Sequence, residues 1–127
     1  PADAALAREI SSEIVGGAID ATGKLSLLAS AALIGRSRVL VTNDSAPLHL
    51  ASAMNTPTVA IFGPTVTTFG FGPLAEASAV AQVAGLSCRP CSSHGPMTCP
   101  LTHFRCMLDL APAQVHASVM SLLDRAP

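Results

Sequence analysis

Apolar residues recur every four positions near the start of the chain, at Leu6, Ile10 and Ile14. That spacing predicts a helix over residues 3–15, with Asp3 as its N-cap and Gly16-Gly17 as its end. Ala18 to Asp20 reads as a very short strand, followed by a turn at Thr22-Gly23-Lys24. Ser26 fits the N-cap of a second helix to about Ile34, with Leu25 as a hydrophobic staple before it and Gly35 as its stop. The period then changes. Arg38-Val39-Leu40-Val41-Thr42 is a short apolar run of the kind found in buried strands. Ser45 to Met54 returns to a helical pattern, since Pro47 is tolerated in a first turn. Asn55-Thr56-Pro57 breaks it, and Thr58-Val59-Ala60-Ile61-Phe62 is a second buried strand ended by Gly63-Pro64.

Residues 63–78 read as a loop rich in Gly, Pro and Thr, and Ser78 to Val83 as a last short strand. Residues 86–106 are irregular. Pro112 opens a final helix to about Leu123, with Val115, Val119 and Leu122 on one face. There is no internal repeat. Alternating helices and strands imply an α/β fold, a Rossmann-like parallel sheet flanked by helices. Both clear strands are continuous apolar runs, as expected where helices cover both faces. Ligands of such sheets bind beyond the carboxyl ends of the strands, which places Asn43 to Pro47 and Gly63 to Thr68 at the mouth of a site.

Composition sharpens this picture in two places. The 127 residues suit one domain, half of them hydrophobic and only 12% charged. Residues 45–75 contain no Asp, Glu, Lys or Arg. Such a stretch is either buried or turned toward a partner domain or ligand. With a net charge of −1 and neither Trp nor Tyr, the chain offers no basic stripe and no stacking platform, so no nucleic acid is expected as a partner. No apolar run reaches the ~18 residues that span a bilayer, and residues 1–10 do not read as a signal peptide. The abrupt opening suggests a piece of a longer protein.

The junction Val41-Thr42-Asn43-Asp44-Ser45-Ala46 carries the most chemistry. A buried strand ends in polar residues, and a helix begins at once with small ones. The first amides of a helix lack internal partners and sit at the positive end of its dipole, which suits a phosphate. Pro47 has no N–H, leaving the amides of Ser45, Ala46 and Leu48. Asp44 would repel phosphate but can accept hydrogen bonds from sugar hydroxyls beside it. His49 lies one turn into the helix, within reach of either group. The same residues read equally as ordinary structure: Asp44 and Ser45 as helix caps, and His49 as a packed core histidine.

Val39-Leu40-Val41-Thr42-Asn43-Asp44-Ser45-Ala46-Pro47-Leu48-His49-Leu50-Ala51, followed by Pro57-Thr58-Val59-Ala60-Ile61-Phe62-Gly63-Pro64-Thr65, resembles the ADP-heptose:lipopolysaccharide heptosyltransferase family (glycosyltransferase family 9). The likeness extends to Pro1-Ala2-Asp3, to Gly23-Lys24-Leu25-Ser26-Leu27, to Cys99-Pro100-Leu101 and to the final helix, and so covers nearly the whole chain. It implies one half of a GT-B fold, residues 1–127 being most of the C-terminal, nucleotide-sugar-binding domain. It also implies donor-binding roles. Asp44 would contact the donor heptose, the amides of Ser45 and Ala46 would face the pyrophosphate, and His49 belongs to the same motif. Asp3 would contact the adenosine ribose, and Leu25 would pack near the adenine. The family commonly has Gly where this chain has Ala46, so a methyl group stands near the phosphate. Its catalytic aspartate belongs to the absent N-terminal domain, and its donor-phosphate lysine is absent as well; Lys24 is not that lysine. The resemblance thus implies no catalytic residue here, and a chain that is inactive alone.

In the complete enzyme the implied reaction is an inverting transfer onto the lipopolysaccharide inner core, with no cofactor required. A carboxylate base would deprotonate the acceptor hydroxyl. The implied setting is the cytoplasm, at the inner face of the inner membrane, with peripheral membrane contact and the lipopolysaccharide acceptor held by the missing domain.

Cys88-x-x-Cys91, Cys99 and Cys106 form the other unusual feature, with His94 and His103 between them. Four thiols could hold structural zinc, or iron, and the CxxC pair is a good half-site, although Cys99-x6-Cys106 is wider than usual. Arg89 and Arg105 would favour thiolates. Reduced, unliganded cysteines and disulfides remain open as alternatives. The segment follows the loops at the site mouth and could shape the acceptor or domain interface. A competing reading of the whole chain is a stand-alone nucleotide-binding or scaffold module with a metal-stabilised cysteine loop. An oxidoreductase Rossmann domain is disfavoured because no G-x-G-x-x-G follows a strand.

Overall fold

A computed structural model describes residues 3–125; Pro1 and Ala2 of the opening run lie outside them. The chain divides into two units, Pro1–Ser30 and Ala31–Pro127.

In the first unit, helix α1 spans Ala4–Glu13. Asp3 holds the N-cap position, but its side chain makes no cap hydrogen bond; its carbonyl accepts from the Ala7 amide at 2.8 Å. The predicted face Leu6, Ile10 and Ile14 is 45–55% exposed. Gly16 and Gly17, at φ +93° and +84°, end the helix in a conformation that glycine adopts without cost. The short strand expected at Ala18 to Asp20 does not form. Asp20 instead serves the turn that follows. Its carboxylate accepts from the Thr22 amide at 2.8 Å, and Lys24 Nζ bonds its carbonyl at 2.6 Å. The Thr22 amide holds the Asp20 carboxyl below the usual range, because an N–H donor favours the charged form. Ser26 caps as predicted, its Oγ accepting from the Ala29 amide at 3.2 Å, and helix α2, Leu27–Gly35, follows and contains the boundary between the units.

The second unit is built on three parallel strands: β1 (Leu40–Asn43), β2 (Thr58–Ile61) and β3 (Ser78–Ala81), in the order β1-β2-β3. Helix α3 (Ala46–Ala53) connects β1 to β2. A loop with a 3-10 turn at Thr67–Phe69 leads to β3. Helices α4 (Arg105–Leu108) and α5 (Pro112–Leu123) follow the cysteine segment. Alternate residues of β2 point to opposite faces. Ala60, with Phe62 just beyond the strand, meets Leu48 of α3. Val59 joins Ala81 and Leu122 of α5, flanked by Val115 and Val119. The predicted face of the last helix is therefore the one that packs.

The sheet is thus flanked by helices, and Thr58, Val59 and Ala60 are fully buried. β1 differs from expectation. It pairs on one side only among the described residues, and its burial alternates, with Val41 45% exposed. An apolar run does not distinguish an edge strand from a central one. The uncharged stretch 45–75 divides in the same way. Leu48, Ala51 and Phe62 are fully buried, whereas Phe71 and Leu74 are 44% and 80% exposed.

Leu48→Ala should destabilise the protein by about 2–5 kcal/mol, as large-to-small changes in closed cores do. Val41→Ala on β1 should cost no more than about 0.5–1 kcal/mol. Urea unfolding of the two variants checks the difference.

Candidate functional site

β1 and β2 run in register, with Asn43 beside Ile61. Their carboxyl ends therefore open at the same level. The Asp44 amide continues the ladder by donating to the Ile61 carbonyl at 3.2 Å, so backbone pairing fixes where the Asp44 side chain begins. The loop after β2 then turns back toward it. Thr65, buried to 4% exposure, donates its hydroxyl to Asp44 Oδ2 at 2.7 Å.

This pairing bears on the two structural alternatives. Asp44 spends one carboxylate oxygen on Thr65, not on the amides of α3. Ser45 occupies the N-cap position in an extended conformation but makes no side-chain cap hydrogen bond. Its hydroxyl donates to the Asn43 carbonyl at 3.2 Å and lies 3.4 Å from that of Thr42. The Leu48 amide is already used, bonding the Ser45 carbonyl at 3.0 Å. This corrects the expected set of three free amides to two, Ser45 and Ala46. Both residues are exposed. The helix end is uncapped where a ligand acceptor would sit. His49 is exposed too, not packed in a core. Its ring meets Phe71 edge to face, with centroids 6.2 Å apart at 73°.

Two cavities meet at Asp44. One, about 140 Å³, is lined by Asn43, Asp44, Gly63, Pro64, Thr65 and His94 among others. The second, about 340 Å³, is lined by Asp44, Ser45, Ala46, His49, Phe71, Ser93 and His94. The structure brings together Asp44, Ser45, Ala46 and His49 of the predicted set. Asp3 and Leu25 belong to the first unit; Asp3 is exposed and Leu25 is 41% exposed. Thr65, Phe71, Ser93 and His94 were not singled out for this site. Thr65 and Phe71 follow the strand end that marks the mouth, so the strand-end rule was the usable signal. Ser93 and His94 have none, because they reach Asp44 only through the path of the cysteine segment.

Arg89 holds that path. Its guanidinium donates to the Val83 carbonyl (2.8 Å), the Thr65 carbonyl (2.8 Å) and Gln82 Oε1 (3.0 Å). The Cys91 amide bonds the Pro64 carbonyl at 2.9 Å. A side chain at Gly95 would meet Pro64 Cγ at 2.8 Å, and Gly95 has φ +72°. Only glycine passes there. The segment is thus fastened to the very loop that presents Thr65 to Asp44.

The four cysteines are free thiols. Cys106 is buried and the others are half-buried. Desolvation, reinforced by the neighbouring Cys88, Cys106 and Cys99, pushes the Cys91 thiol up. The Phe104 amide, with those of Leu101, His103 and Thr102 adding to it, holds Cys99 below the usual range. Thr102 and Phe104 are left-handed, at φ +58° and +47°, a geometry that turns successive amides toward one anion.

The family model for glycosyltransferase family 9 (heptosyltransferase) matches residues 1–102. Lipooligosaccharide heptosyltransferase 2 of Campylobacter jejuni subsp. jejuni serotype O:2 is 41% identical over 88 residues, which are 69% of this chain and 26% of that protein. The protein of the same name from Haemophilus influenzae is 40% identical over 47 residues, 37% of this chain and 14% of that one. Among solved structures, E. coli ADP-heptose lps heptosyltransferase II aligns over 98% of this chain and 34% of its own, with a TM-score of 0.75 at 24% identity. The glycosyl transferase family 9 structure from Veillonella parvula aligns over 99% of this chain and 35% of its own, with a TM-score of 0.75 at 26% identity. The chain spans about a quarter of the length of the Campylobacter relative and about a third of those two structures. The fold is α/β, a parallel sheet flanked by helices, and corresponds to one half of a GT-B-like fold.

Replacing Arg89 by Met removes charge-assisted bonds worth about 1.5–3 kcal/mol each. Hydrogen exchange at the Cys91 amide should accelerate by roughly one to two orders of magnitude as the segment opens locally. The β2 amides should be unaffected. Exchange mass spectrometry across residues 86–96 reads the change.

Proposed function

Because the chain belongs to glycosyltransferase family 9, we propose that it binds the nucleotide-sugar donor, ADP-heptose or a close relative, within a longer lipopolysaccharide heptosyltransferase. The observation that carries this reading is the Thr65–Asp44 hydrogen bond beside an uncapped helix end. It leaves a carboxylate and two free amides side by side, the two functions that a sugar diphosphate requires. The amides of Ser45 and Ala46, at the positive end of α3, donate hydrogen bonds to the pyrophosphate oxygens. Asp44, oriented by Thr65, accepts hydrogen bonds from the heptose hydroxyls through its remaining lone pairs. His49 and Phe71 line the wider cavity beside them. The Ala46 methyl lies at the first helical position, where its N–H remains free to bond a phosphate oxygen.

In this reading the reaction is a displacement with inversion. A base in the remainder of the enzyme takes the proton of the acceptor hydroxyl as that oxygen attacks the anomeric carbon, and ADP departs. Charge developing on the leaving diphosphate is stabilised by the α3 amides, which are already oriented before reaction. The acceptor is the lipopolysaccharide inner core, held by the part of the protein outside this chain. The enzyme works in the cytoplasm at the inner face of the membrane. Among the described residues no helix is long and apolar enough to cross a bilayer, and membrane contact in this reading is peripheral.

Calorimetric titration of the intact protein should detect both ADP and the ADP-sugar. Absence of heat at about millimolar ligand would overturn the donor reading. Asp44→Asn keeps an oxygen that can accept from Thr65 but loses the charge. It should lower kcat/KM by roughly 10- to 100-fold, the value of a charged hydrogen bond, with the unfolding midpoint nearly unchanged. A large stability loss with normal turnover would instead make Asp44 a structural residue.

A further inference from the structure

The irregular segment between β3 and α4 has little to hold it by burial. Met97 is fully exposed at 99%, and Leu101 is 57% exposed. Residues 87–104 form no helix or strand. Long structureless segments inside compact domains need some other fastening. Arg89 and the Cys91 amide fasten one end. Three cysteines, Cys88, Cys91 and Cys99, lie along the segment, and the fourth, Cys106, lies in α4 just after it. Cys88, Cys91, Cys99 and Cys106 all line one cavity of about 200 Å³, with Pro100, Leu101 and His103. A neighbouring cavity of about 190 Å³ shares three of them, Cys91, Cys99 and Cys106. Cysteines far apart along the chain thus line one cavity, and none is joined in a disulfide.

We propose that Cys88, Cys91, Cys99 and Cys106 bind one zinc ion as a tetrathiolate. Four cysteine sulfurs are the ligand set that closed, structural zinc sites use, and the Cys88–Cys91 pair has the spacing of a zinc half-site. Soft thiolates select zinc over the hard cations. A zinc tetrathiolate carries a net charge of −2, which a cation must offset. Arg89, adjacent to Cys88, has no carboxylate partner among the described residues. Its Nε is also a buried donor without an acceptor among the described residues. As the side chains stand, no group of three or more His, Cys, Asp or Glu among the described residues could hold a metal ion. Zinc binding therefore requires the four thiols to close across the cavity, the behaviour of sites in which metal binding is coupled to local folding.

The ion would also have a purpose at the donor site. Ser93 and His94 lie between Cys91 and Cys99, and both line the cavity at Asp44. Zinc at the cysteines would hold this wall in place. That last step depends on the donor reading; the metal site itself does not.

The test is elemental analysis of the intact protein purified in reducing, chelator-free buffer, with no nucleotide present. About one zinc per chain is expected. Replacement by cobalt should produce the absorption bands of a tetrahedral cobalt thiolate, and Cys99→Ser and Cys106→Ser should each abolish stoichiometric loading. Should those variants fail to fold, chelator titration of the unmodified protein supplies the same evidence: metal should leave while all four thiols become open to titration. Less than about a tenth of an equivalent after reconstitution with zinc overturns the proposal. So does recovery of two disulfides, or of iron with sulfide in place of zinc. Metal content is read without ligand, so its outcome is independent of whether ADP binds.

Discussion

The parallel register of β1 on β2 sets Asn43 beside Ile61, and the functional end of the unit depends on that alignment. Parallel strands place their carboxyl ends on the same edge. The two polypeptide segments that leave them must then share the space above. One becomes the first turn of α3; the other is the Gly63–Thr65 loop. The Asp44 amide on the Ile61 carbonyl and the Thr65 hydroxyl on the Asp44 carboxylate join the two. A register shift of one residue would turn the Asp44 side chain to the other face of the strand. Burial of β2 by Leu48 on one side and Leu122 on the other makes such a shift costly.

The site has an economy that follows from this geometry. Carboxylates normally avoid phosphate, yet Asp44 stands next to amides suited to it. The conflict is eased because Thr65 anchors the carboxylate and the helix dipole favours negative charge locally. Residues 45–75 carry no formal charge, so no neighbouring lysine or arginine on that stretch competes for Asp44. Gly63 belongs to the same compromise. A side chain there would meet Met107 Sδ at 2.5 Å, so the methionine of α4 packs directly over this glycine. The cysteine segment extends this enclosure, since Arg89 grips the carbonyl of the residue whose hydroxyl orients Asp44.

Segments with strong local signals matched expectation closely. The last helix begins at Pro112 and ends at Leu123 as read, because proline at its start and the four-residue apolar spacing are local properties. The two clear strands and α3 between them also appear within two residues of their predicted bounds. The expected strand at Ala18 to Asp20 failed for a local reason that was visible but outweighed. Asp20 bonds the Thr22 amide, and Asp favours such turns over extended pairing. That β1 pairs on one side only among the described residues was not legible. Burial of Leu40 to Thr42 depends on which neighbours flank it, and an apolar run carries no record of them.

The candidate site divides along the same line. The order of residues at the β1–α3 junction determined, without any structure, that polar side chains and helix-end amides would meet at a strand terminus. That follows from a strand running directly into a helix. Only the tertiary structure decided that Asp44 binds Thr65 instead of capping α3 and that His94 lines the same cavities as Asp44. These outcomes depend on segments more than twenty residues apart in the chain, brought together by sheet pairing and by the Arg89 contacts. Likewise, the sequence alone determined that four cysteines lie close along the chain. Their convergence on one cavity is a property of the fold, because the backbone between them has no periodicity from which a direction could be read.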